Sequence, residues 1–304
     1  MREDELKGFE SRRLRGAGAE IFARIGGRGP PLLLVHGYPQ THLCWAQVAR
    51  ELSARFTVVL CDLRGYGASA HPPVDHDAAN YSKRIMAGDL VAALDELGYA
   101  RFHLAGHDRG ARVAYRLALD WPERVAALAV LAILPTFAMW RRLADPAYAM
   151  RAFRWYLLAQ PAPLPQQLIE AAPLEYLHAT LAAWTATRDL APFPAAVLAA
   201  YETAFARPDA IAASCGDYRA GWTTDRLHDE ADLQAGRRIR CPTLALWGRH
   251  EFPDEGAMLS AWREIAAQVE GRSLDCGHFL PEEAPAEVAR ALLEFFANAS
   301  ARGL

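Results

Sequence analysis

A carboxylate stands at the point where a strand, a tight turn and a helix would present a reactive side chain. The pentapeptide GHDRG at 106–110 follows an apolar run at 102–105 and precedes a helical stretch at 109–120. Glycines on both sides of Asp108 allow the strained turn of a nucleophile elbow, which exposes one side chain. Attack by a carboxylate on an ester carbonyl gives a reactive anhydride, whereas attack on a saturated carbon gives an ester that water can open. Asp108 therefore predicts displacement at an sp3 carbon, such as a carbon–halogen bond or an epoxide.

A histidine late in the chain is needed to hydrolyse such an ester. His278 follows the last predicted strand, where a Gly-His turn can aim the imidazole inward. Because Asp108 is already ionised, His278 would remove a proton from water rather than from the nucleophile. The backbone N–H groups of Tyr38 and Arg109 are expected to form the oxyanion hole, since HGYP at 36–39 ends a buried strand and Arg109 follows the nucleophile.

Two arginines beside the nucleophile indicate the charge of the substrate. Arg109 and Arg112 lie one helical turn apart, so both side chains can reach the same side of a pocket. Guanidinium groups at this helix N-terminus have a purpose if the substrate is itself an anion, whose carboxylate they would clamp. The alternative is that Arg112 forms an ion pair with Asp62 or Asp120.

Trp155 and Tyr218 are candidate donors to a leaving group. An indole N–H and a phenol O–H can each hydrogen-bond a departing halide, and this support matters most for fluoride, a poor leaving group. Aromatic residues in a helical segment more often belong to the core, so both interpretations stay open for these two residues.

These residues belong to a chain in which apolar runs alternate with helical patterns. Continuous apolar segments predict buried strands at 31–35, 56–61, 102–105, 125–133 and 243–247, and a shorter strand is predicted at 270–274. The alternation predicts a mainly parallel sheet covered by helices on both faces. Residues 135–222 are rich in Trp, Tyr, Ala and Pro and contain no strand pattern. They are predicted to form a helical cap domain, inserted into a core domain of residues 1–134 and 223–304.

Composition excludes several classes of partner. A net charge of −3 argues against nucleic acid, and no apolar run reaches the ~18 residues of a membrane span. The first residues lack the apolar region of a signal peptide. The five cysteines are scattered without C-x-x-C spacing, which is typical of reduced thiols in a cytoplasmic protein. We expect a cytoplasmic protein that acts on a small anionic substrate.

The chain resembles the haloacetate dehalogenases, in particular the fluoroacetate dehalogenase group of the α/β-hydrolase superfamily. The resemblance extends from Pro31 to about Phe296. It rests on five segments, which are HGYPQTH at 36–42, GHDRGAR at 106–112, GHFLPEE at 277–283, LAQPAPLP at 158–165 and DYRAG at 217–221. It implies an α/β-hydrolase fold, with a mostly parallel eight-stranded sheet, helices on both faces and an inserted helical cap.

The resemblance also implies a role for individual residues. It assigns the nucleophile to Asp108, the water-activating base to His278, the substrate-carboxylate ligands to Arg109 and Arg112, the halide pocket to Trp155 and Tyr218, and a pocket wall to Trp184. Proteins of this family need no metal or organic cofactor, and they are often homodimers.

The chain departs from the family pattern at the acid that should orient the histidine. The family places an aspartate shortly after the sixth strand, where this chain has Ala132 in LAILP at 131–135. An imidazole without an acid partner loses its fixed tautomer and much of its activity. Related hydrolases carry the acid after the next strand, so we predict that Glu251 has taken over this role, with Asp254 as the second choice.

A second departure concerns the halide pocket. The family has a fluoride-binding histidine immediately before the pocket tryptophan, and this chain has Arg154 there. A guanidinium can hold a halide ion, but it is bulkier than an imidazole and cannot lose its charge. Arg154 is therefore predicted to bind halide, while cleavage of carbon–fluorine bonds in particular stays open.

The sequence predicts a hydrolytic dehalogenase that converts small 2-haloacids to 2-hydroxy acids through an ester of Asp108. One alternative is an epoxide hydrolase with the same nucleophile, in which Tyr156 and Tyr218 would bind the epoxide oxygen. Another is a catalytically impaired relative that only binds small carboxylates, which the missing acid at Ala132 makes conceivable.

Overall fold

Eight strands form the central sheet of the protein. A computed structural model describes residues 5–252 and 254–301. Residues 1–4, 253 and 302–304, which the predicted core domain includes, lie outside the described residues. The strands are β1 (Glu10–Arg15), β2 (Glu20–Gly27), β3 (Pro31–Val35), β4 (Thr57–Cys61), β5 (Phe102–His107), β6 (Val125–Leu131), β7 (Thr243–Gly248) and β8 (Val269–Leu274).

The α-helices of the described residues alternate with these strands except for one long helical run after β6. They are α1 (Ala46–Leu52), α2 (Lys83–Glu96), α3 (Arg109–Asp120), α4 (Thr136–Arg142), α5 (Pro146–Arg151), α6 (Arg154–Leu158), α7 (Leu164–Glu170), α8 (Pro173–Trp184), α9 (Ala195–Phe205), α10 (Pro208–Ala220), α11 (Arg226–Gln234), α12 (Glu255–Ile265), α13 (Leu280–Glu283) and α14 (Pro285–Ala301). A π-helical turn, Gly221–Asp225, joins α10 to α11.

The strand order is β1-β2-β4-β3-β5-β6-β7-β8. Strand β2 pairs antiparallel with β1 and β4, and every other neighbouring pair is parallel. The apolar strands β5, β6 and β7 are buried along their whole length, as expected when helices cover both faces of a sheet. The predicted α/β fold with an eight-stranded, mostly parallel sheet is confirmed.

The carboxyl ends of the central strands lie side by side. Val35 of β3 pairs with Gly106 of β5, and His107 pairs with Leu131, which in turn pairs with Leu246 of β7. Ligands of open α/β sheets bind outside this edge, because the loops that leave parallel strands converge there. Asp108 therefore emerges at the edge where such a sheet builds its site.

A helical insertion, residues 136–234, separates β6 from β7. It contains α4 to α11, and its described residues include no strand. The helices continue past residue 222 through the π-helical turn and α11. The division into a core domain and a cap domain of residues 135–222 stays a prediction. No helix among the described residues is long and apolar enough to cross a membrane.

Candidate functional site

The turn between β5 and α3 holds Asp108 in a strained conformation. Its φ of 47° and ψ of −116° lie outside the regions that a non-glycine residue prefers. Glycine is required on both sides of this turn because neighbouring backbone segments leave no space for a side chain. A Cβ on Gly106 would lie 2.5 Å from the carbonyl oxygen of Gly110, and a Cβ on Gly110 would lie 2.3 Å from that of His36. The elbow predicted from GHDRG is thus present.

The Asp108 carboxylate is poised between a backbone donor and an imidazole. Its Oδ1 accepts a hydrogen bond of 2.9 Å from the backbone N–H of Tyr38, and its Oδ2 lies 3.6 Å from Nε2 of His278. Burial opposes the ionised form, but His278 and the other cationic neighbours outweigh burial and lower the pKa of Asp108. The side chain is therefore an anion in which the Tyr38 N–H holds one oxygen and the other oxygen faces His278.

Only one of the two predicted oxyanion donors touches the carboxylate. Tyr38 donates to Asp108, whereas the hydrogen bonds of the described residues include none from the Arg109 N–H to this side chain. Arg109 is the first residue of α3, where helix geometry leaves an N–H without an acceptor in the helix. That N–H is thus available to donate a hydrogen bond to another acceptor.

Glu251, and not Asp254, contacts the histidine. Oε2 of Glu251 lies 2.8 Å from Nδ1 of His278, and both side chains are buried. A carboxylate at Nδ1 selects the tautomer in which Nε2 is free to accept a proton. Burial tends to lower the pKa of His278, but the Glu251 carboxylate outweighs it and raises this pKa. Asp254 instead caps α12, where its side chain accepts a hydrogen bond from the N–H of Ala257 at 2.9 Å.

Arg112 faces the site without a carboxylate partner. Its Nη1 donates to the carbonyl oxygen of Leu134 and to the hydroxyl of Thr136, both at 3.0 Å, and its buried Nε has no hydrogen-bond partner. The alternative pairing with Asp62 or Asp120 is wrong, because these acids bind the side chains of a histidine and of other arginines. Arg112 thus retains an unused donor beside the nucleophile.

Arg109 is held by an acid that sequence analysis did not single out. Nε and Nη2 of Arg109 donate to the two carboxylate oxygens of Asp217 at 3.1 and 2.6 Å, and Arg109 is fully buried. Lys83 and the hydroxyl of Tyr66 also bind Asp217. The paired edge of the guanidinium is therefore occupied, and only Nη1 lacks a partner. The sequence signal that could have identified Asp217 is its position directly before Tyr218, a predicted pocket residue.

Aromatic side chains from the helical insertion form the wall opposite Asp108. The rings of Trp155 and Tyr218 pack edge to face at 5.5 Å, and the guanidiniums of both predicted clamp arginines lie 5.3 and 4.6 Å from the Trp155 ring. The guanidinium of Arg154 lies 4.8 Å from the Trp184 ring, which packs 5.5 Å from the His278 ring. The structure therefore gathers all four predicted pocket residues around one cavity with Asp108 and His278.

These residues enclose a small cavity. The cavity volume is about 30 Å³, and the lining includes Asp108, His278, Arg112, Arg154 and Tyr218. A water molecule needs roughly 10–15 Å³ by this measure, so the space suits a ligand of a few heavy atoms. Among the described residues, no group of three or more His, Cys, Asp or Glu could hold a metal ion.

A buried carboxyl group connects the insertion to both loops of the site. The hydroxyl of Tyr201 in α9 donates to Oε1 of Glu282 at 2.8 Å, and the side-chain amide of Gln40 donates to Oε2. Burial raises the pKa of Glu282 to about 8, despite the hydrogen bond from Tyr201. The neutral carboxyl group thus ties α9 to the loop after Tyr38 and to the segment after His278.

We expect the contribution of Glu282 to the free energy of unfolding to fall as the pH rises from 4.5 to about 8. Its folded-state pKa lies above the unfolded value, so this contribution is complete below the unfolded pKa and disappears as pH rises through the folded pKa. Glu282→Gln, which keeps a neutral hydrogen-bonding side chain, should flatten the dependence. Urea unfolding of both proteins across this pH range measures the difference, and identical pH profiles would contradict the prediction.

Comparison with known proteins gives consistent results. A family model described as the alpha/beta hydrolase fold matches residues 30–285. The chain is 42% identical to a fluoroacetate dehalogenase of Burkholderia sp., over 97% of this chain and 96% of that protein. It is 31% identical to a soluble epoxide hydrolase of Corynebacterium sp., over 89% and 91% of the two chains. The solved structure of a Nostoc sp. protein described as an alpha/beta hydrolase is 46% identical, with a TM-score of 0.92 over 96% of this chain and 99% of that one.

Proposed function

The chain belongs to the α/β-hydrolase family, and from this we propose that it hydrolyses the carbon–halogen bond of small 2-haloacids. The products are a halide ion and a 2-hydroxy acid. The observation that carries the proposal is the ionised carboxylate at the elbow, which faces His278 at 3.6 Å where a serine hydrolase would present a hydroxyl. Similarity to a fluoroacetate dehalogenase at 42% identity supports the same reaction.

The first step is displacement of the halide by Asp108. Its Oδ2 attacks the α-carbon from the side opposite the halogen, the carbon–halogen electron pair leaves with the halide, and an ester forms. Oδ1 stays on the N–H of Tyr38, which orients the carboxylate. This arrangement supplies orientation in advance, which is the main requirement of an in-line substitution.

The second step is hydrolysis of the ester. His278 takes a proton from water through Nε2 while the water oxygen attacks the Asp108 carboxyl carbon, and negative charge develops on Oδ1. The N–H groups of Tyr38 and Arg109 stabilise that charge. The bond between the carboxyl carbon and Oδ2 then breaks, His278 returns the proton, and the 2-hydroxy acid leaves. Glu251 orients His278 and stabilises its cation.

Cationic groups select the substrate, since Arg112 and Arg154 line the cavity and Arg109 packs against the rings of Trp155 and Tyr218. The unused donors of Arg112 and Arg109 bind the substrate carboxylate, and both are buried nitrogen atoms without a partner. Trp155, Tyr218 and Arg154 receive the halide, and Trp184 limits the size of the α-substituent. A cavity of about 30 Å³ favours acids of acetate size over bulkier ones.

Halide release from fluoro-, chloro- and bromoacetate, measured beside turnover of a styrene-oxide-type epoxide, tests the proposal. We expect halide from at least one haloacetate and little diol from the epoxide. Better turnover of the neutral epoxide would favour the epoxide hydrolase alternative, which the similarity to an epoxide hydrolase at 31% identity supports. Tyr156, one of the tyrosines that alternative requires, donates its hydroxyl to the carbonyl of Leu143 instead. Saturable binding of carboxylates without halide release would favour the impaired relative.

We further propose that the protein acts as a cytoplasmic homodimer. The helical insertion exposes several large apolar side chains, which a second copy could cover. These are Met150, Phe153, Leu164 and Leu168, with exposed fractions of 78%, 50%, 52% and 55%. Light scattering after size-exclusion chromatography would measure the oligomeric state, and a monomer at micromolar concentration would oppose this part of the proposal.

A further inference from the structure

The side chain of Tyr38 ends in a buried hydroxyl group for which no described residue is placed with hydrogen-bond geometry. Tyr38 is 3% exposed, lines the cavity and contributes its backbone N–H to Asp108. Its hydroxyl oxygen has no hydrogen-bond partner among the described residues. A buried hydroxyl without a partner costs free energy, so such a group at the wall of a site indicates a ligand that supplies the missing partner.

A fixed cation lies in the same part of the cavity. Arg154 is 9% exposed and lines the cavity, and its side chain forms no hydrogen bond or ion pair with a described residue. The charge of Arg154 acts on the hydroxyl groups of both Tyr38 and Tyr218. The Tyr38 and Tyr218 rings pack edge to face at 5.2 Å. Tyr38 and Arg154 therefore bring an O–H donor and a guanidinium to the lining of one enclosed space.

The competing explanation is that Tyr38 pairs with Tyr176 of α8. The two hydroxyl groups are close enough for a hydrogen-bond interaction between them to raise the pKa of Tyr38 and to lower that of Tyr176. However, both oxygens are buried and neither has a partner with hydrogen-bond geometry. Thr180, one turn further along α8, lines the cavity, but Tyr176 does not. Substitution of each tyrosine in turn separates a structural pair from a ligand contact.

The size of the cavity identifies the group that Tyr38 would meet. The carboxylate end of the substrate is proposed to bind Arg109 and Arg112, which leaves space for only a few further atoms within about 30 Å³. A single halogen atom is a group of this size, and it completes the proposed 2-haloacid. Halide ions accept hydrogen bonds from O–H donors and are attracted by guanidinium groups.

We infer that the hydroxyl of Tyr38 donates a hydrogen bond to the departing halide, next to Arg154. This inference rests on the proposed dehalogenation. As Oδ2 of Asp108 bonds to the α-carbon, the carbon–halogen pair leaves with the halogen, and Tyr38 keeps its proton while it solvates the new anion. Tyr38 would then serve both steps, with its hydroxyl in displacement and its backbone N–H in ester hydrolysis.

Tyr38→Phe tests the inference because it removes only the hydroxyl and keeps the ring and the backbone N–H. One lost hydrogen bond to developing charge should lower kcat about three- to tenfold for the poorest leaving group that the wild type cleaves. The loss should be smaller for bromoacetate, and KM should change little for either acid. Inhibition by the product halide should weaken by a similar factor.

Tyr176→Phe is the matched control, since it removes the neighbouring hydroxyl outside the cavity lining. It should leave the ratio of kcat values between the two haloacetates and the halide inhibition unchanged, and thermal unfolding should show both variants folded. The inference would be overturned if Tyr38→Phe kept the wild-type ratio of kcat values between the two haloacetates, or if Tyr176→Phe changed this ratio as much as Tyr38→Phe does. Either result would leave the proposed dehalogenation standing. A wild-type protein that releases no halide from any haloacetate would remove the proposed function and this inference together.

Discussion

His278→Ala is expected to stop after displacement and to accumulate substrate covalently attached to Asp108. Displacement needs only the carboxylate and the leaving-group donors, whereas ester hydrolysis needs a base for water. Loss of this base should reduce steady-state turnover by about three to four orders of magnitude. Mass spectrometry of the peptide that contains residue 108, after incubation with haloacetate, would show the added carboxymethyl group.

Two controls accompany this experiment. Asp108→Asn in the His278→Ala background should yield no adduct, because an amide is a poor nucleophile. In the wild type, a single turnover in oxygen-18 water should place the label in the Asp108 carboxyl group before it reaches product. An unmodified peptide in His278→Ala, or label that enters the alcohol directly, would contradict the covalent mechanism.

Glu251→Gln is expected to lower kcat by about a factor of 1,000 to 10,000, with little change in KM. Glutamine has the shape of glutamate, but it has no charge to stabilise the histidine cation. It can also present N–H to Nδ1 of His278 and so favour the wrong tautomer. The ester should accumulate here as in His278→Ala, because the same step is slowed. Steady-state kinetics and peptide mass measure both effects.

Asp254→Asn is the matched control, because it neutralises an acid three residues away that caps α12. It should cost about 1 kcal/mol of stability or less and leave kcat nearly unchanged. Turnover that survives Glu251→Gln and disappears in Asp254→Asn would reverse the assignment.

Ala132→Asp in the Glu251→Gln background offers a rescue. Ala132 lines the cavity and has a φ of 60°, a conformation that aspartate adopts more readily than most residues. An acid at the position that the family uses should restore part of the lost kcat. The restored activity would show that His278 requires a nearby carboxylate and that this carboxylate can follow either β6 or β7.

Several arginine side chains lie close to the ionised Asp108, and they differ in whether a carboxylate neutralises them. Arg109 is neutralised by Asp217. Burial tends to raise the pKa of Asp217, but Arg109 and Lys83 outweigh burial and hold this carboxyl pKa well below its usual range. Arg112 and Arg154 have no carboxylate partner among the described residues. The anionic substrate that we propose would supply a negative charge to these two guanidinium groups.

The local sequence determined the elements and the reactive group. Continuous apolar runs predicted strands such as Val125–Leu131 within two residues, because a strand buried on both faces requires apolar side chains at every position. The elbow was predictable for a similar reason. Its two glycines are required because the backbone of the turn lies too close to the start of α3 and to the end of β3 for a side chain. All residues of this motif are consecutive, so it can be read directly from the sequence.

Only the tertiary structure decided which distant groups meet. The choice between Glu251 and Asp254 depended on how the loop after β7 turns toward His278, 27 residues further along the chain. Asp217 holds Arg109 across 108 residues, and the unpaired hydroxyl of Tyr38 is apparent only once its surroundings are known. A residue type reveals what a side chain can do, but pairing in space depends on packing between segments, which short-range sequence patterns do not encode.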